Sequence, residues 1–299
     1  MSAHPEKALP KIRFLGKTLK APVWISSMTG GTRLAGKINH NLARAAAEFG
    51  FGMGLGSCRI LMDDESHLPD FDLRHIIGDE QPFFANLGIA QIEKLLADGN
   101  IQAAVDLNNL LKTDGIIIHV NPMQEWLQPE GDRLKHPPIE IIREFVHQVD
   151  FRVVVKEVGQ GFGPQTIEEL MKLPVSAMEF AAFGGTNFAR VELMRNLETN
   201  KELYEPLSYV GHTAEDMVNS VNATVAGNPG LHEKELIISG GLKSFLDGYY
   251  LIEKSKLPAI YGMASTFLKY AKEDYQQLKE FTQNQIKGLK MAYAYLTVR

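Results

Sequence analysis

The chain has 299 residues, which suits one (β/α)₈ barrel of roughly 250 residues plus insertions. Apolar residues make up 44% and charged residues 22% of the sequence, and the net charge of −5 offers no general attraction to nucleic acid or to an anionic membrane. A single cysteine, Cys58, excludes an intramolecular disulfide and a cysteine zinc cluster. The first residues lack the apolar core of a secretion signal, and no apolar run reaches the roughly 18 residues that span a bilayer. We therefore expect a soluble, cytoplasmic protein with no nucleic-acid or membrane partner.

Short apolar runs alternate with longer amphipathic segments along the chain. The apolar runs predict eight strands, at residues 23–27, 51–55, 83–85, 115–118, 153–155, 177–181, 236–238 and 259–261. The amphipathic segments predict helices at 34–49, 89–111, 138–148, 166–172, 213–225 and 244–254, and a last one from Ser265 onward. Continuous apolar strands that alternate with helices are typical of parallel βαβ units. Eight such pairs predict one α/β domain over residues 1–299, folded as a closed (β/α)₈ TIM barrel. Residues 1–22 would lead into the first strand. An open doubly wound sheet is the alternative.

Two connections between these elements stand out. Residues 184–212 form the longest irregular stretch, and residues 128–138 are rich in proline. Long insertions in a barrel are usually a lid, a binding loop or an oligomer contact. The sequence does not choose among these three.

Glycine and polar residues collect where the predicted strands end. The clusters read SMTGGT, GSCR, NLG, HVNPMQE, KEVGQG, FGGTN, SGG and GMAS. Glycine also ends strands for purely structural reasons, but eight clusters in phase point to a shared site. In a (β/α)₈ barrel these positions form one face, which carries the active site.

The last two clusters predict a phosphate site. Gly240 and Gly241 follow the seventh strand, and residues 262–265 follow the eighth and open a helix. Barrels often bind phosphate between these two loops, where glycine lets backbone N–H groups approach the oxygens. Because the sequence holds neither a Walker loop nor a G-x-G-x-x-G, we expect a mononucleotide or a phosphorylated ligand.

Five further residues are candidates for chemistry. Lys156 ends an apolar strand, where a cation is costly unless it meets either a structural acid or an anionic ligand such as a reduced flavin. Glu125 is a candidate Mg²⁺ ligand. His119 and Asn121 alternate onto one face of an extended segment and could bind a phosphate together, although a lone His119 is more simply a core histidine. Cys58 has no histidine nearby in sequence, so we interpret it as an inert, semi-buried thiol.

In these clusters the chain resembles the type 2 isopentenyl diphosphate isomerases, which depend on FMN and Mg²⁺. The matching stretches lie in family order between Pro22 and Ser265 and read PVWISSMTGGT, KINHNLA, GLGSCR, ANLG, HVNPMQE, QPEGD, VVVKEVG, FGGTNF, SGGLKS and GMAS. Together they cover nearly the whole predicted barrel.

The resemblance implies a set of roles. It implies FMN contacts from Ser27, Met28, Thr29, Ser57, Asn86, Lys156, Thr186, Gly240, Gly241, Ala264 and Ser265. It implies substrate contacts from Ser57, Cys58, Arg59, His119, Asn121 and Gln124, with catalysis by His119 and Gln124 and with Glu125 binding Mg²⁺ on the diphosphate. In this family a flavin kept reduced by NADPH moves a proton between isopentenyl and dimethylallyl diphosphate, and the proteins are homo-oligomers.

The chain also departs from the family. Cys58 stands where many members carry glutamine, Ala181 replaces a common serine, and Lys243 replaces a common arginine. We find no counterpart of the family's basic N-terminal segment, and we therefore expect an intact barrel with weak isomerase activity.

Two other functions stay open. One is another FMN barrel, such as a 2-hydroxyacid oxidase, which needs a histidine base and an arginine pair near strand seven. Only His212 and His232 lie there, without an adjacent arginine. The other is a flavin-binding protein without catalysis.

Overall fold

The computed structural model describes residue 4 and residues 9–28, 34–195, 201–231 and 233–298. An antiparallel hairpin of β1 (Ile12–Phe14) and β2 (Lys17–Leu19) precedes eight parallel strands that close into a barrel. These strands are β3 (Val23–Ile25), β4 (Gly52–Gly54), β5 (Phe83–Gly88), β6 (Gly115–Val120), β7 (Arg152–Glu157), β8 (Ala177–Glu179), β9 (Glu235–Ser239) and β10 (Ala259–Met263).

The predicted closed barrel is confirmed. All eight predicted strands are present, in chain order around the barrel, and β10 pairs with β3 through Tyr261 and Val23, which closes the sheet. The sixth barrel strand, predicted at 177–181, ends early, at Glu179. Ala181 there has φ 41°, a left-handed conformation that a strand cannot continue.

Helices cover the outside of the barrel. They are α1 (Ala35–Phe49), α2 (Ile60–Asp63), α3 (Arg74–Ile77), α4 (Ile89–Ala97), α5 (Gln102–Leu110), α6 (Pro122–Leu127), α7 (Pro138–Val146), α8 (Pro164–Lys172), α9 (Phe188–Arg195), α10 (Lys201–Tyr204), α11 (Ala214–Gly227), α12 (Phe245–Lys254), α13 (Ser265–Ala271) and α14 (Tyr275–Tyr295). Short 3₁₀ helices occupy Glu65–Asp70, Glu205–Tyr209 and Pro229–Leu231. Within the described ranges, no helix combines the length and the apolar character needed to cross a membrane.

Three helical predictions differ from the structure. The helix predicted at 89–111 is broken between α4 and α5, where Gly99 has φ 63°. The stretch predicted from Ser265 onward is two helices, and the Asp274 carboxylate caps α14 by accepting from the N–H of Gln277 at 3.0 Å. Residues 184–212, expected to be irregular, contain α9, α10 and a 3₁₀ helix.

Two levels of side chains fill the barrel. Alternate residues of a strand point to the same face, so residues two apart stack along the barrel axis. The lower level is apolar and packs against the β1–β2 hairpin, which closes the end where the strands begin; it comprises Trp24, Phe84, Ile117, Val154, Ala177, Ile237 and Ile260. Two residues further along their strands lie the polar side chains of the upper level: Ser26, Asn86, His119, Lys156, Glu179 and Ser239. The barrel therefore offers a polar floor at the carboxyl ends of its strands.

Candidate active site

A cavity of about 480 Å³ opens above this polar floor, between the loops that follow β3, β7, β8, β9 and β10. Its size falls in the range of roughly 300–1,000 Å³ usual for small-molecule sites. Most residues predicted to contact FMN line it: Ser27, Met28, Lys156, Thr186, Gly240, Gly241, Ala264 and Ser265. Ser57 and Asn86 are not part of this lining, and Thr29 lies outside the described residues.

A larger hollow of about 970 Å³ lies on the flank of the barrel, along α4, α5 and α7. Its walls carry charges of both signs, and of the predicted site residues its lining includes Arg59. We assign the site to the smaller cavity, because the strand-end side chains converge there and the carboxyl face of a barrel is where ligands bind.

Glycine shapes one end of the cavity. Gly240 has φ 89°, and a Cβ at this position would lie 2.1 Å from the backbone nitrogen of Ala182. The loop after β9 thus packs backbone against backbone on the loop after β8, and Gly241 (φ 72°) continues it. Only glycine permits both this φ and this approach. Lys243 follows at the exposed rim and lines the same cavity, so a cation lies beside the glycine loops.

Ala181 holds a left-handed conformation in the facing loop without being glycine. Its N–H donates to Ser239 Oγ at 2.9 Å, and the next N–H, of Ala182, donates to the backbone oxygen of Ser239 at 2.8 Å. These two bonds tie the loop after β8 to the end of β9.

Lys156 is the buried cation of the floor. Its Nζ donates to the backbone oxygen of Glu157 at 2.7 Å. The Glu157 carboxylate serves a different purpose, because it accepts from the N–H groups of Gly159, Gln160 and Gly161 at 2.6, 2.6 and 2.8 Å. Burial raises the pKa of Glu157, while these amides and Lys156 act in the opposite direction. Lys156 also lines the cavity, so its charge adjoins the space that a ligand would occupy.

His119 and Asn86 form a pair on neighbouring strands. His119 Nδ1 lies 2.6 Å from Asn86 Oδ1, and Asn86 Nδ2 donates to Ser27 Oγ at 3.0 Å. Because the amide oxygen can only accept, Nδ1 carries the proton and Nε2 is left as an acceptor. Burial, followed by the charge of Lys156, lowers the pKa of His119 to about 3. His119 is a neutral imidazole at physiological pH.

The residues after β6 form a second cluster. Asn121 Nδ2 donates to Glu125 Oε1 at 2.9 Å and to Gln124 Oε1 at 3.2 Å. Glu125 is buried, and its Oε2 accepts from the N–H of Asp132 at 2.9 Å. Because α6 starts right after Asn121, the Asn121 amide nitrogen is turned towards Gln124 and Glu125, and joint binding of a phosphate by His119 and Asn121 stays a prediction.

A buried acid on α9 holds Gln124. Gln124 Nε2 donates to Glu192 Oε1 at 3.2 Å, and Glu192 pairs with Arg195 at 2.9 Å. Glu192 is only 2% exposed. Sequence reasoning missed it because it lies on a helix in the stretch expected to be irregular.

Three residues predicted to contact the substrate lie in the loop after β4, and they differ in exposure. Ser57 is half-buried. Arg59 is exposed and forms an ion pair with Asp132 at 3.1 Å, and Asp132 also accepts from Gln91 Nε2 at 3.3 Å. Cys58 is fully buried in the apolar core, and burial raises the pKa of its thiol to about 12. Its side chain does not reach the cavity, which corrects the expected substrate contact and agrees with an inert thiol.

No group of three or more His, Cys, Asp or Glu side chains that could hold a metal occurs in the described ranges. A Mg²⁺ ion would then rest on one carboxylate with water and phosphate oxygens, which is a common arrangement for this ion. Of the two histidines weighed for an oxidase, His212 lines a side pocket of about 280 Å³ next to Gln160, and His232 lies outside the described residues.

Proteins named isopentenyl-diphosphate delta-isomerase are similar to this chain over most of its length. No family model matches the chain. An isopentenyl-diphosphate delta-isomerase of Rickettsia peacockii (strain Rustic) is 38% identical over 280 residues, which are 93% of this chain and 78% of that protein. The protein of the same name from Rickettsia typhi (strain ATCC VR-144 / Wilmington) is 36% identical over 263 residues, 86% of this chain and 72% of its own length.

Solved structures share the fold at low sequence identity. A flavocytochrome b2 variant with benzoylformate matches with a TM-score of 0.68 and 13% identity, covering 98% of this chain and 70% of that chain. A mandelate oxidase variant with an FMN adduct matches with a TM-score of 0.61 and 12% identity, covering 98% and 81%. At this identity the likeness shows the barrel architecture alone.

Proposed function

The chain belongs to the type 2 isopentenyl-diphosphate delta-isomerase family, and we propose that it interconverts isopentenyl and dimethylallyl diphosphate with FMN and Mg²⁺ bound at the carboxyl face of its barrel. The observation that carries this proposal is the pairing of two sites at one end of the strands. The glycine-walled cavity lies over Lys156, and the Asn121–Glu125 cluster adjoins it through His119, whose strand neighbour is Lys156. Neither site alone would define the reaction.

The chain's residues fit a flavin mononucleotide. Gly240, Gly241 and the rim cation Lys243 suit the phosphate, since close backbone and a positive charge both favour an anion. Lys156, at the opposite, inner end, would stabilise negative charge on the ring. Ser27, held by Asn86, would contact the ring edge. When bound and reduced by NADPH, FMN would supply a group that both gives and takes a proton.

Glu125 is proposed to hold Mg²⁺ against the substrate diphosphate. Asn121 Nδ2 donates to one oxygen of the Glu125 carboxylate, and the backbone N–H of Asp132 donates to the other, so the carboxylate is fixed in orientation. Each oxygen keeps a second lone pair for a metal. Arg59 would leave its exposed partner Asp132 to meet the diphosphate, because an exposed ion pair contributes only about 0–1 kcal/mol.

His119 and Gln124 are proposed to face the reacting end of the substrate. His119 is neutral, with Nε2 free to accept, so it can bind a proton-bearing group without adding positive charge beside Lys156. Gln124 is held on both sides, by Asn121 and by Glu192, so its amide has a fixed orientation. Such fixed polar groups orient a substrate without changing their own charge.

A homo-oligomer is also proposed. Large apolar side chains are exposed on α6, α9, α10 and the segment after α10: Trp126, Met194, Leu203, Tyr209 and Val210. Their burial between copies would remove apolar surface from water. Light scattering on the purified protein measures the mass of the particle in solution. A monomer at micromolar concentration would contradict the proposed homo-oligomer.

One assay separates the proposed function from its two rivals. The FMN-loaded, anaerobically reduced protein is mixed with isopentenyl diphosphate and Mg²⁺, and product is followed by NMR. We expect dimethylallyl diphosphate, and none after EDTA is added. Oxidation of a 2-hydroxy acid in air without isomerisation would identify an oxidase, and retention of FMN without either reaction would identify a flavin-binding protein.

A further inference from the structure

One buried acid in the floor of the cavity has no part in the scheme above. Glu179, the last residue of β8, is 0% exposed and lines the cavity. Its strand neighbour on one side is Lys156. On the other side Ser239 Oγ donates to Glu179 Oε1 at 3.3 Å, while Oε2 has no hydrogen-bond partner in the part of the chain that the structure describes.

The charges around Glu179 leave it poorly compensated. Burial raises its pKa, and this effect outweighs the opposing influence of Lys156, Ser26, Ser239 and Trp24. An ionised carboxylate with an unpartnered oxygen in a buried site is costly, and this cost favours the protonated form of Glu179.

The other ionisable groups near the floor do not offset Lys156. His119, on the far side of Lys156, is a neutral imidazole. The Glu157 carboxylate is turned to the backbone of its own loop, and Lys243 lies at the exposed rim. Lys156 thus remains the charged group of the floor when Glu179 carries a proton.

Glu179 is also linked to the glycine end of the cavity. Ser239 Oγ, which donates to Glu179, accepts from the N–H of Ala181 at 2.9 Å. Ala181 is held at φ 41°, a conformation that costs a non-glycine residue energy and needs support from its surroundings. The chain of bonds from Glu179 through Ser239 to Ala181 provides that support.

We propose that Glu179 is a positioning residue that stays protonated beside Lys156, which leaves the ammonium charge for an anionic cofactor, and that its carboxyl group orients Ser239 beneath the glycine loops. This inference rests on the proposed function, because the anionic group is the flavin. Glu179 itself is assigned no contact with the substrate or the metal.

The first test needs no flavin. The flavin-free wild type is compared with Glu179→Gln, which keeps shape and the acceptor for Ser239 but does not titrate. A carboxyl group whose pKa is raised on folding contributes stability at low pH and loses it as the pH rises above its unfolded value. We therefore expect the melting temperature of the variant to rise relative to the wild type between pH 5 and pH 8. A fall would mean that Glu179 is an ionised partner of Lys156 and would overturn the proposal.

An infrared spectrum provides an independent readout. The wild type at pH 7 should show the carbonyl stretch of a buried protonated carboxyl group, and Glu179→Gln should lack it. Glu93→Gln is the matched control. Glu93 pairs with His136 away from the cavity, and its pKa is lowered, so it does not contribute a protonated carboxyl group at pH 7. Its spectrum should keep the band. Absence of the band from the wild type would refute a protonated Glu179.

The second test uses FMN. Glu179→Gln should leave the flavin midpoint potential at pH 7 unchanged, whereas an increase would reveal the loss of a negative charge and overturn the proposal. Glu179→Leu, which cannot hold Ser239, should weaken FMN binding about two- to tenfold, while Glu179→Gln should not. Equal affinity of the two variants would refute the link to Ala181. Failure of the wild type to bind FMN would refute the proposed function and leave the flavin-free result standing.

Discussion

The backbone contact at Gly240 predicts that Gly240→Ala damages both the fold and the cofactor site. The added Cβ would lie 2.1 Å from the nitrogen and 2.2 Å from the oxygen of Ala182, closer than real Cβ contacts come. A left-handed φ costs a non-glycine residue about 1–2 kcal/mol, and relieving an overlap in a packed region costs about 1–3 kcal/mol. We expect a total loss of about 2–5 kcal/mol in the free energy of unfolding.

Two other glycines separate these two costs. Gly99 has φ 63°, but a Cβ there would meet nothing within 4 Å, so Gly99→Ala should lose only about 1–2 kcal/mol. Gly227, the last residue of α11, has neither a positive φ nor a close neighbour, so Gly227→Ala should be neutral or slightly stabilising. Urea denaturation of the three variants, without flavin, measures the cost of the left-handed φ and the cost of the steric overlap separately.

The affinity for FMN of the three glycine variants tests the role of this loop in cofactor binding. If the loops after β8 and β9 move apart, one or more backbone bonds to the phosphate are lost, each contributing about 1.5–3 kcal/mol. The Kd for FMN of Gly240→Ala should then rise at least tenfold, and that of the two controls should stay unchanged. If Gly240→Ala is as stable as Gly99→Ala and binds FMN like the wild type, our account of this loop is wrong.

Three more predictions concern charges at the site. Lys156→Met should lower the flavin midpoint potential, because the cation favours the anionic reduced form; an unchanged potential in a dye-coupled titration would argue against its placement. Glu125→Gln should abolish the Mg²⁺ dependence of diphosphate binding in calorimetry yet retain FMN, and unaltered Mg²⁺ dependence would exclude Glu125 as the ligand. Because the pKa of His119 lies at about 3, below its unfolded value, the wild type should lose stability as the pH falls from 7 to 5, and His119→Gln should lose less; parallel melting curves would contradict a neutral His119.

The sequence predicted the barrel well because its strands are short apolar runs that end in polar clusters at a regular spacing. It did not predict the short helices α2 and α3. Each has four residues, which are too few to show helical periodicity. The break between α4 and α5 depends on Gly99, which a helical pattern tolerates until the backbone is seen.

The polar floor corresponds to a simple pattern in the sequence. On six strands an inward apolar residue is followed two positions later by a polar one, as in Ile117 and His119 or Val154 and Lys156. The same pattern at Ala177 and Glu179 would have identified the buried acid.

Other parts of the site depend on tertiary contacts that no local pattern reports. Asp132 meets Arg59 from 73 positions away, and Glu192 meets Gln124 from 68 positions away. Cys58 adjoins Arg59 in the chain, yet it faces the core, because neighbouring residues of a loop can point in opposite directions.

We propose that this isomerase uses a reduced flavin without net oxidation or reduction. The most direct measurement is the approach to equilibrium from both sides: one sample of the reduced, FMN-loaded protein receives isopentenyl diphosphate and another receives dimethylallyl diphosphate, both with Mg²⁺ and without oxygen. We predict that both reach the same ratio of the two compounds with no reductant consumed beyond the initial reduction of the flavin. No conversion in either direction by protein with bound, reduced FMN would contradict the account.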